Sequence, residues 1–388
     1  MSELLNGRWA ETKEALLEGL QGTKKSVMSV ALENTRKYLA ESATAGATSA
    51  GNVATLNRVI LPVIRRVMPT VIANELLGVQ PMTGPVGQIH TLRVRYADSS
   101  SGAGVVAGEE ALSPFKIAAS YSGNTTDATP KASSTATLEG TAGNRLSIQI
   151  LKQTVEAKTR KLSARWTFES AQDAQAQQGI DVEAEIMAAL AQEITAEIDQ
   201  EILLSLATLA STEYTYNQAT VSGTATYVGD EHAALAVLIN RVANLIAQRT
   251  RRGAGNWCVV SPASLTVLQS ATTSAFARTT EGTFEAPTNT KFVGTLNGAM
   301  RVFVNSYAPD TQPVLVGYKG SSETDAAAFY CPYIPLMSSG VVLDPTTFEP
   351  VVSFMTRYGY IELTNTASSF GNAADYVGEI AVQNLTFQ

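Results

Sequence analysis

Histidine and cysteine, which often catalyse reactions or bind transition metals in proteins, are rare in this sequence. The two histidines, His90 and His232, lie in unrelated segments, and neither has a second histidine at metal-ligand spacing. The two cysteines, Cys258 and Cys331, form neither a disulfide framework nor a zinc-ligand pattern. We expect buried thiols, in line with a reducing compartment, and we expect no metal and no cofactor.

Motifs for nucleophilic catalysis and for phosphate binding are also missing. The sequence has no Gly-x-Ser-x-Gly elbow and no Gly-x-x-x-x-Gly-Lys-Ser/Thr loop. The nearest glycine cluster, Gly102, Gly104 and Gly108, is one residue too long for the dinucleotide fingerprint and predicts a loop. We therefore expect no enzyme. The alternative is a hydrolase or adhesin domain, which would need a pocket around His232 with an acid or a serine nearby.

Basic side chains are concentrated in one segment that could contact an acidic surface. These residues are Lys152, Lys158, Arg160, Lys161 and Arg165. One interpretation is a solvated charged face, and the other is a strip that makes inter-subunit contacts with an acidic neighbour. The net charge of −7 argues against a dedicated nucleic-acid-binding protein.

Composition indicates a folded chain with an unusually weakly charged surface. The 388 residues are 45% hydrophobic, enough for two or three domains with a sizeable core, and only 16% charged. Such a surface is expected when much of it is covered by subunit contacts. The polar start of the sequence predicts no signal peptide, and the lack of an 18-residue apolar run predicts no membrane span.

The element that would organise the fold is a long helix over residues 181–210, which contain neither Pro nor Gly after Asp181. Apolar residues recur there at every fourth position: Ile186, Leu190, Ile194, Ile198, Ile202 and Leu206. Since each step of four residues turns the stripe by about 40°, one flat partner cannot cover it. We predict a spine helix whose partners change along its length. The alternative is a core helix of an ordinary α/β domain.

Residues 88–168 predict one long protruding hairpin. Alternating strands at 88–96 and 147–168 flank residues 97–146, which are rich in Gly, Ser, Thr and Ala. Since this middle segment has few large apolar residues, we expect that the hairpin cannot form its own core and lies on another subunit.

Other segments predict an arm and a mixed domain. Residues 1–41 read as an amphipathic helical arm, and 42–51 as a flexible linker, so the arm should dock on a neighbour or be removed. A second helix is predicted over 231–251, followed by a buried strand at 256–262 and further strands towards the end of the chain.

Three long blocks, residues 59–96, 161–203 and 329–360, resemble the corresponding segments of the T-even (T4-like) phage major capsid protein family. The resemblance implies an α+β Hong Kong 97-type capsid fold. Its implied parts are an N-terminal arm and linker (1–52), a P-domain lead-in (53–87), an extended E-loop hairpin (88–168), a P-domain with the spine helix (169–229), an A-domain (230–324), and closing strands of the P-domain and A-domain (325–388). The chain is shorter than typical members, so the inserted domain of the T-even protein should be absent or reduced.

The same resemblance implies a structural function. The chain would self-assemble into hexameric capsomers of the icosahedral head of a tailed phage, assembled in the host cytoplasm, and would contact the packaged double-stranded DNA only non-specifically. The implied partners are a vertex or pentamer protein, a portal, a scaffold, decoration proteins and a prohead protease. An alternative with the same fold is an encapsulin-like cellular nanocompartment that encloses a cargo protein.

Family members are often trimmed at the N-terminus by a protease that prefers Leu/Ile-x-Glu. This sequence has two matching triplets, Leu39-Ala40-Glu41 and Leu16-Leu17-Glu18. The resemblance therefore predicts maturation cleavage after Glu41, just before the linker, or after Glu18.

Overall fold

The structure, a computed structural model, describes residues 9, 13–14, 17, 25–34, 72–100, 103–109, 111, 120–123, 132–140, 142–178, 181–218, 228–270, 276–278, 291–322, 325–347, 349–364 and 372–385. The chain divides into two compact units, each built from separate stretches of sequence. The first unit comprises Met1–Gly87, Val155–Leu204 and Phe329–Ile361. The second comprises Gln88–Thr154, Ser205–Ala328 and Glu362–Gln388.

From residue 72 onwards the helices are α1 (Ala73–Leu76), α2 (Thr135–Leu138), α3 (Phe168–Gln178), α4 (Val182–Leu209), α5 (Val228–Thr250) and α6 (Pro262–Ser270), with a 3-10 turn at Ala373–Tyr376. Residues 25–34 of the arm are also helical. The strands are β1 (Gly78–Val79), β2 (Val86–Tyr96), β3 (Leu146–Glu156), β4 (Lys158–Arg165), β5 (Ser211–Asn217), β6 (Trp257–Val260), β7 (Phe276–Arg278), β8 (Lys291–Leu296), β9 (Met300–Val304), β10 (Val314–Gly317), β11 (Ala328–Ser338), β12 (Val342–Leu343), β13 (Pro350–Glu362) and β14 (Val377–Gln383).

The long helix is confirmed as α4, within one residue of the predicted bounds at each end. Asp181 caps it, because its Oδ1 accepts the backbone N–H of Glu183 at 3.1 Å. Five members of the four-residue stripe are buried, and the first, Ile186, is half-buried. The last turn, from Ser205, belongs to the second unit and the rest of the helix to the first.

The first unit contains a sheet whose strand order is β1-β11-β13-β12, with β4 also paired to β13. The strand β13 alternates buried and half-buried residues over most of its length, as a strand with one covered face does. β4 runs antiparallel along β13, from Arg165 opposite Val351 to Lys158 opposite Tyr358.

The second unit is built on a sheet of strand order β5-β14-β10-β6-β9-β8-β7 among the residues described. Helix α5, which confirms the predicted second helix, packs its apolar side against this sheet with Leu235, Ile239, Val242 and Ile246 fully buried. The predicted strand at 256–262 is β6, whose four residues are all buried. Helices and sheets mixed in this way confirm the predicted α+β class.

The predicted returning strand 147–168 is divided in the structure. Its first part, β3, pairs with β2 in a two-stranded sheet, whereas β4 pairs with β13 in the first unit. The division falls at Ala157, whose N–H donates to the carbonyl of Pro85 at 2.9 Å. The sequence pattern is continuous through this point, so only the change of pairing partner reveals the break.

No helix in the described ranges combines the length and the apolarity that a membrane crossing would require.

Candidate inter-subunit surface

The hairpin of β2 and β3 exposes an apolar strip made of Leu146, Ile148 and Ile150. These residues alternate along β3 and therefore share one face of the strand. Their exposed fractions are 56%, 69% and 65%, and Leu92 on the paired strand is 66% exposed. Single exposed apolar residues are common, but a run of aliphatic side chains on one strand face marks an interaction surface.

The tip of the hairpin has a small core of its own, so the prediction that it could not form one is wrong. Tyr96, Val105, Ala111 and Tyr121 are buried together. The two tyrosine rings lie 4.6 Å apart between centroids at an angle of 58°. Few large apolar residues are needed here, because each buried aromatic ring covers as much surface as several small side chains.

An ion pair closes the loop around this core. The guanidinium of Arg145 donates to both carboxylate oxygens of Asp98, at 3.0 and 3.2 Å. The Tyr121 hydroxyl donates to the carbonyl of Arg145 at 2.7 Å. The hydrogen bonds from Arg145 lower the pKa of Asp98. The loop ends are thus tied together, and the apolar strip begins at the residue that follows Arg145.

Arg160, one of the five basic residues predicted to contact a neighbour, has acidic partners in its own chain. It donates to Glu197 at 2.6 Å and to Glu201, both on α4, and to the hydroxyl of Tyr358 on β13. Partial burial opposes the charge of Arg160, but the hydrogen bonds to Glu201 and Tyr358 outweigh it and raise its pKa. The same contacts lower the pKa of Glu201 against the opposing effect of burial. Arg160 on β4 therefore links the sheet to α4 within the first unit.

The other four basic residues differ in their surroundings. Arg165 lies 3.8 Å from Glu349 of the same chain. Lys152, Lys158 and Lys161 are exposed. The structure thus places the five residues on two strands, β3 and β4, and an inter-subunit role stays a prediction.

The longest described stretch of the arm, residues 25–34, is helical and docks on its own chain. Met28, Ala31 and Leu32 are almost completely buried. The side-chain amide of Asn34 donates to the carbonyls of Met82 at 2.7 Å and Tyr333 at 2.9 Å. The predicted cleavage sites after Glu18 and Glu41 lie outside the described residues.

The alternative of a hydrolase or adhesin domain depends on His232 and its neighbours. The Oγ of Ser270 lies 2.6 Å from its Nδ1, and the amide nitrogen of Gln218 lies 3.3 Å from its Nε2. Since the Ser270 hydroxyl donates to the carbonyl of Thr266 at 2.9 Å, the ring donates to Ser270 and accepts from Gln218. A nucleophilic serine needs a histidine that accepts its proton. Here the histidine donates to the serine instead, so this serine is not activated as a nucleophile. The hydrogen bonds link Gln218, α5 and α6 within the second unit.

The described residues contain no group of three or more His, Cys, Asp or Glu side chains that could hold a metal ion.

Comparison with known proteins shows the family of this chain. Residues 53–382 match the family described as major capsid protein Gp23. The chain belongs to this family. It is 30% identical over 419 residues to the major capsid protein of Vibrio phage KVP40, covering 84% of this chain and 80% of that one. It is also 30% identical over 411 residues to the major capsid protein of Enterobacteria phage T4, covering 83% and 78%.

A third relative, the major capsid protein of Salmonella phage ViI, is 30% identical over 397 residues and covers 92% of this chain and 90% of its own. Among solved structures, the capsid of Cyanophage P-SCSP1u gives a TM-score of 0.48 at 12% identity, covering 81% of this chain and 89% of that one.

Family membership confirms the resemblance to the T4-like major capsid protein family that was seen in the sequence. The chain is a structural subunit of the head shell of a tailed phage, located in the virion, and shell assembly implies homo-oligomeric capsomers. The family is structural and has no named enzymatic activity. An encapsulin-like role is not favoured, because the matched relatives are phage head proteins.

Proposed function

We propose that this chain forms hexameric capsomers of an icosahedral head and that the apolar strip of the hairpin is the principal docking surface between neighbouring copies. The exposed strip carries this proposal. In a shell protein the surface available to cover it, repeated at every contact, is that of a second copy.

Shape supports this role for the strip. The hairpin has its own tyrosine core and an ion pair at Asp98 and Arg145, so the strip is presented on a preformed strand. A preformed surface loses little conformational entropy on docking, which favours association. Burial of each aliphatic side chain adds about 1.5–3 kcal/mol when it is complete.

Charge supports a secondary contact. The exposed amino groups of Lys152, Lys158 and Lys161 would meet acidic side chains of an adjacent copy, since the chain as a whole carries a net charge of −7. Exposed ion pairs of this kind contribute at most about 1 kcal/mol each and set orientation more than affinity. The same net charge limits contact with packaged double-stranded DNA to sparse, non-specific interactions.

The remaining roles follow the family. The proposed parts are the arm and linker (1–52), the lead-in (53–87), the E-loop region (88–168), the spine region (169–229), the A-domain (230–324) and the closing strands (325–388). Assembly takes place in the host cytoplasm with a scaffold, a portal and a vertex protein, and decoration proteins bind afterwards. A prohead protease cuts after Glu41 or Glu18, and the chain itself catalyses no reaction.

The test is negative-stain electron microscopy of the purified full chain after size-exclusion chromatography. Closed shells, tubes or six-fold rings are expected. Deletion of residues 97–146 removes Leu146 together with the tyrosine core and the Asp98–Arg145 ion pair that preform the strip, and it should leave a folded chain that forms none of these particles. Gly143→Ala, whose new methyl group meets no atom within 4 Å, should assemble normally.

Normal particles from the deletion variant would refute the role of the hairpin. A uniform monomer or dimer under several salt and pH conditions, even with scaffold added, would refute the capsomer proposal. Particles that enclose protein cargo would favour a nanocompartment.

A further inference from the structure

A buried carboxyl group on the long helix has one oxygen bonded and the other without a partner. Asp199 on α4 is 1% exposed. Its Oδ1 accepts the backbone N–H of Ile72 at 2.8 Å. Its Oδ2 is buried and has no hydrogen-bond partner among the described residues. An ionised carboxylate usually needs several donors when it is buried, and one is few.

The contact joins two distant parts of the first unit. Ile72 immediately precedes α1, and Ile72, Leu76 and Leu77 are almost completely buried. The carboxyl group of Asp199 is thus a side-chain anchor for the segment that begins at Ile72 and leads into β1. The stability of this contact therefore depends on the free energy of burying the carboxyl group, which differs between its neutral and its ionised form.

The surroundings of Asp199 supply no compensating positive charge among the described groups. The ionisable group that interacts with it from β11 is the buried Tyr330, whose hydroxyl is neutral because burial raises its pKa. On α4 itself, Glu197 and Glu201 carry negative charge and are held by Arg160. Burial therefore decides the protonation of Asp199, and it favours the neutral form.

We propose that Asp199 is a proton-operated latch between α4 and the segment that begins at Ile72: the neutral carboxyl group keeps the contact closed, and the carboxylate favours its opening.

The direction of the pH dependence follows from linkage. Burial raises the pKa of Asp199 from 3.8 to about 7, and the hydrogen bond from Ile72 opposes this only in part. When the latch opens, water reaches the carboxyl group and its pKa returns towards the ordinary value. The closed state therefore holds a proton that the open state lacks between about pH 4 and pH 7. Closure is strongest at the acid end of this window, weakens as pH rises through it, and is constant above it.

The size of the effect follows from the same two pKa values. Each pH unit inside the window changes the ratio of closed to open chains about tenfold, so the whole window amounts to about 1,000-fold.

The test is amide hydrogen exchange of the peptide that contains Ile72, measured on the full chain between pH 4 and pH 8 and corrected for intrinsic exchange. In the wild type, protection should fall by up to about 1,000-fold as pH rises. Asp199→Asn, which has nearly the same shape but no ionisable proton, should give a nearly flat profile. Asp173→Asn removes an exposed carboxylate on α3 and should behave like the wild type.

A flat wild-type profile, or a variant Asp199→Asn that keeps the wild-type slope, would overturn the proposal. Should Asp199→Asn fail to fold, the infrared spectrum of the wild type decides. A protonated-carboxyl band at pH 6 that disappears at pH 8 supports the latch, and its absence at pH 6 refutes it.

Discussion

Replacing Ile148 by lysine tests whether the apolar strip holds neighbouring copies together. Ile148 is 69% exposed in the single chain, the largest exposed fraction in the strip. Complete burial of an isoleucine side chain is worth about 1.5–3 kcal/mol, so covering the exposed two thirds contributes about 1–2 kcal/mol per contact. Since 1.4 kcal/mol corresponds to a factor of ten, Ile148→Lys should weaken each contact by about 5- to 30-fold.

The assay is sedimentation velocity over a range of protein concentrations, which measures the fraction of chains in particles. Because every subunit in a closed shell carries the substitution on its own strip, the concentration at which particles form should rise by about 5- to 30-fold. The matched control is Gln149→Lys. This exposed neighbour points to the opposite face of the strand and should leave that concentration nearly unchanged.

Folding must be checked separately, and the structure predicts that it is unaffected. Ile148 contributes little to the folded single chain, so thermal unfolding of unassembled Ile148→Lys should match that of the wild type within about 0.5 kcal/mol. A folded variant that forms particles at the wild-type concentration would refute the reasoning, because the strip would then face solvent in the shell.

Three further predictions concern the single chain. A methyl group on Gly317 would lie 2.1 Å from Cζ2 of Trp257, so Gly317→Ala should lower the free energy of unfolding by about 1–3 kcal/mol, measured by urea titration. The assembly control Gly143→Ala should change it by less than about 0.5 kcal/mol, and equal effects would contradict the packing argument. Arg160→Met should lower the free energy of unfolding by about 1 kcal/mol, because its ion pairs with Glu197 and Glu201 are partly exposed. This loss should shrink at high salt, which screens ion pairs, and a loss independent of salt would point to packing instead. Burial raises the pKa of the Cys258 thiol to about 12, so this thiol should react with a thiol reagent at pH 8 only at the rate of global unfolding. Fast labelling of Cys258 in the folded chain would show that the reagent reaches the thiol without unfolding.

The periodic parts of the chain were predictable because their physical signal is local. The four-residue stripe and the absence of Pro and Gly place α4 within one residue at each end. The same kind of pattern gives α5 and the buried strand β6. The resemblance of three long blocks to a capsid family carries the function, which no motif in the sequence would have revealed.

The two predictions that failed share a cause, which is contact between residues that are distant in sequence. Residues 97–146 looked too poor in apolar side chains for a core, but two tyrosines brought 4.6 Å apart are enough to form one. The strand predicted over 147–168 changes partner at Ala157, and a hydrogen bond to Pro85 is visible only in the fold.

The charged and buried side chains show the same difference between what short segments predict and what long-range contacts decide. The sequence alone determined that the chain would have a long spine helix, few catalytic side chains and a cluster of basic residues, because composition and periodicity are properties of short segments. Only the tertiary structure decided that Arg160 is held by Glu197 and Glu201, and that Asp199 is buried with a single donor. These contacts join residues that lie 37 and 41 positions apart for Arg160 and 127 positions apart for Asp199, and no local pattern encodes such pairings.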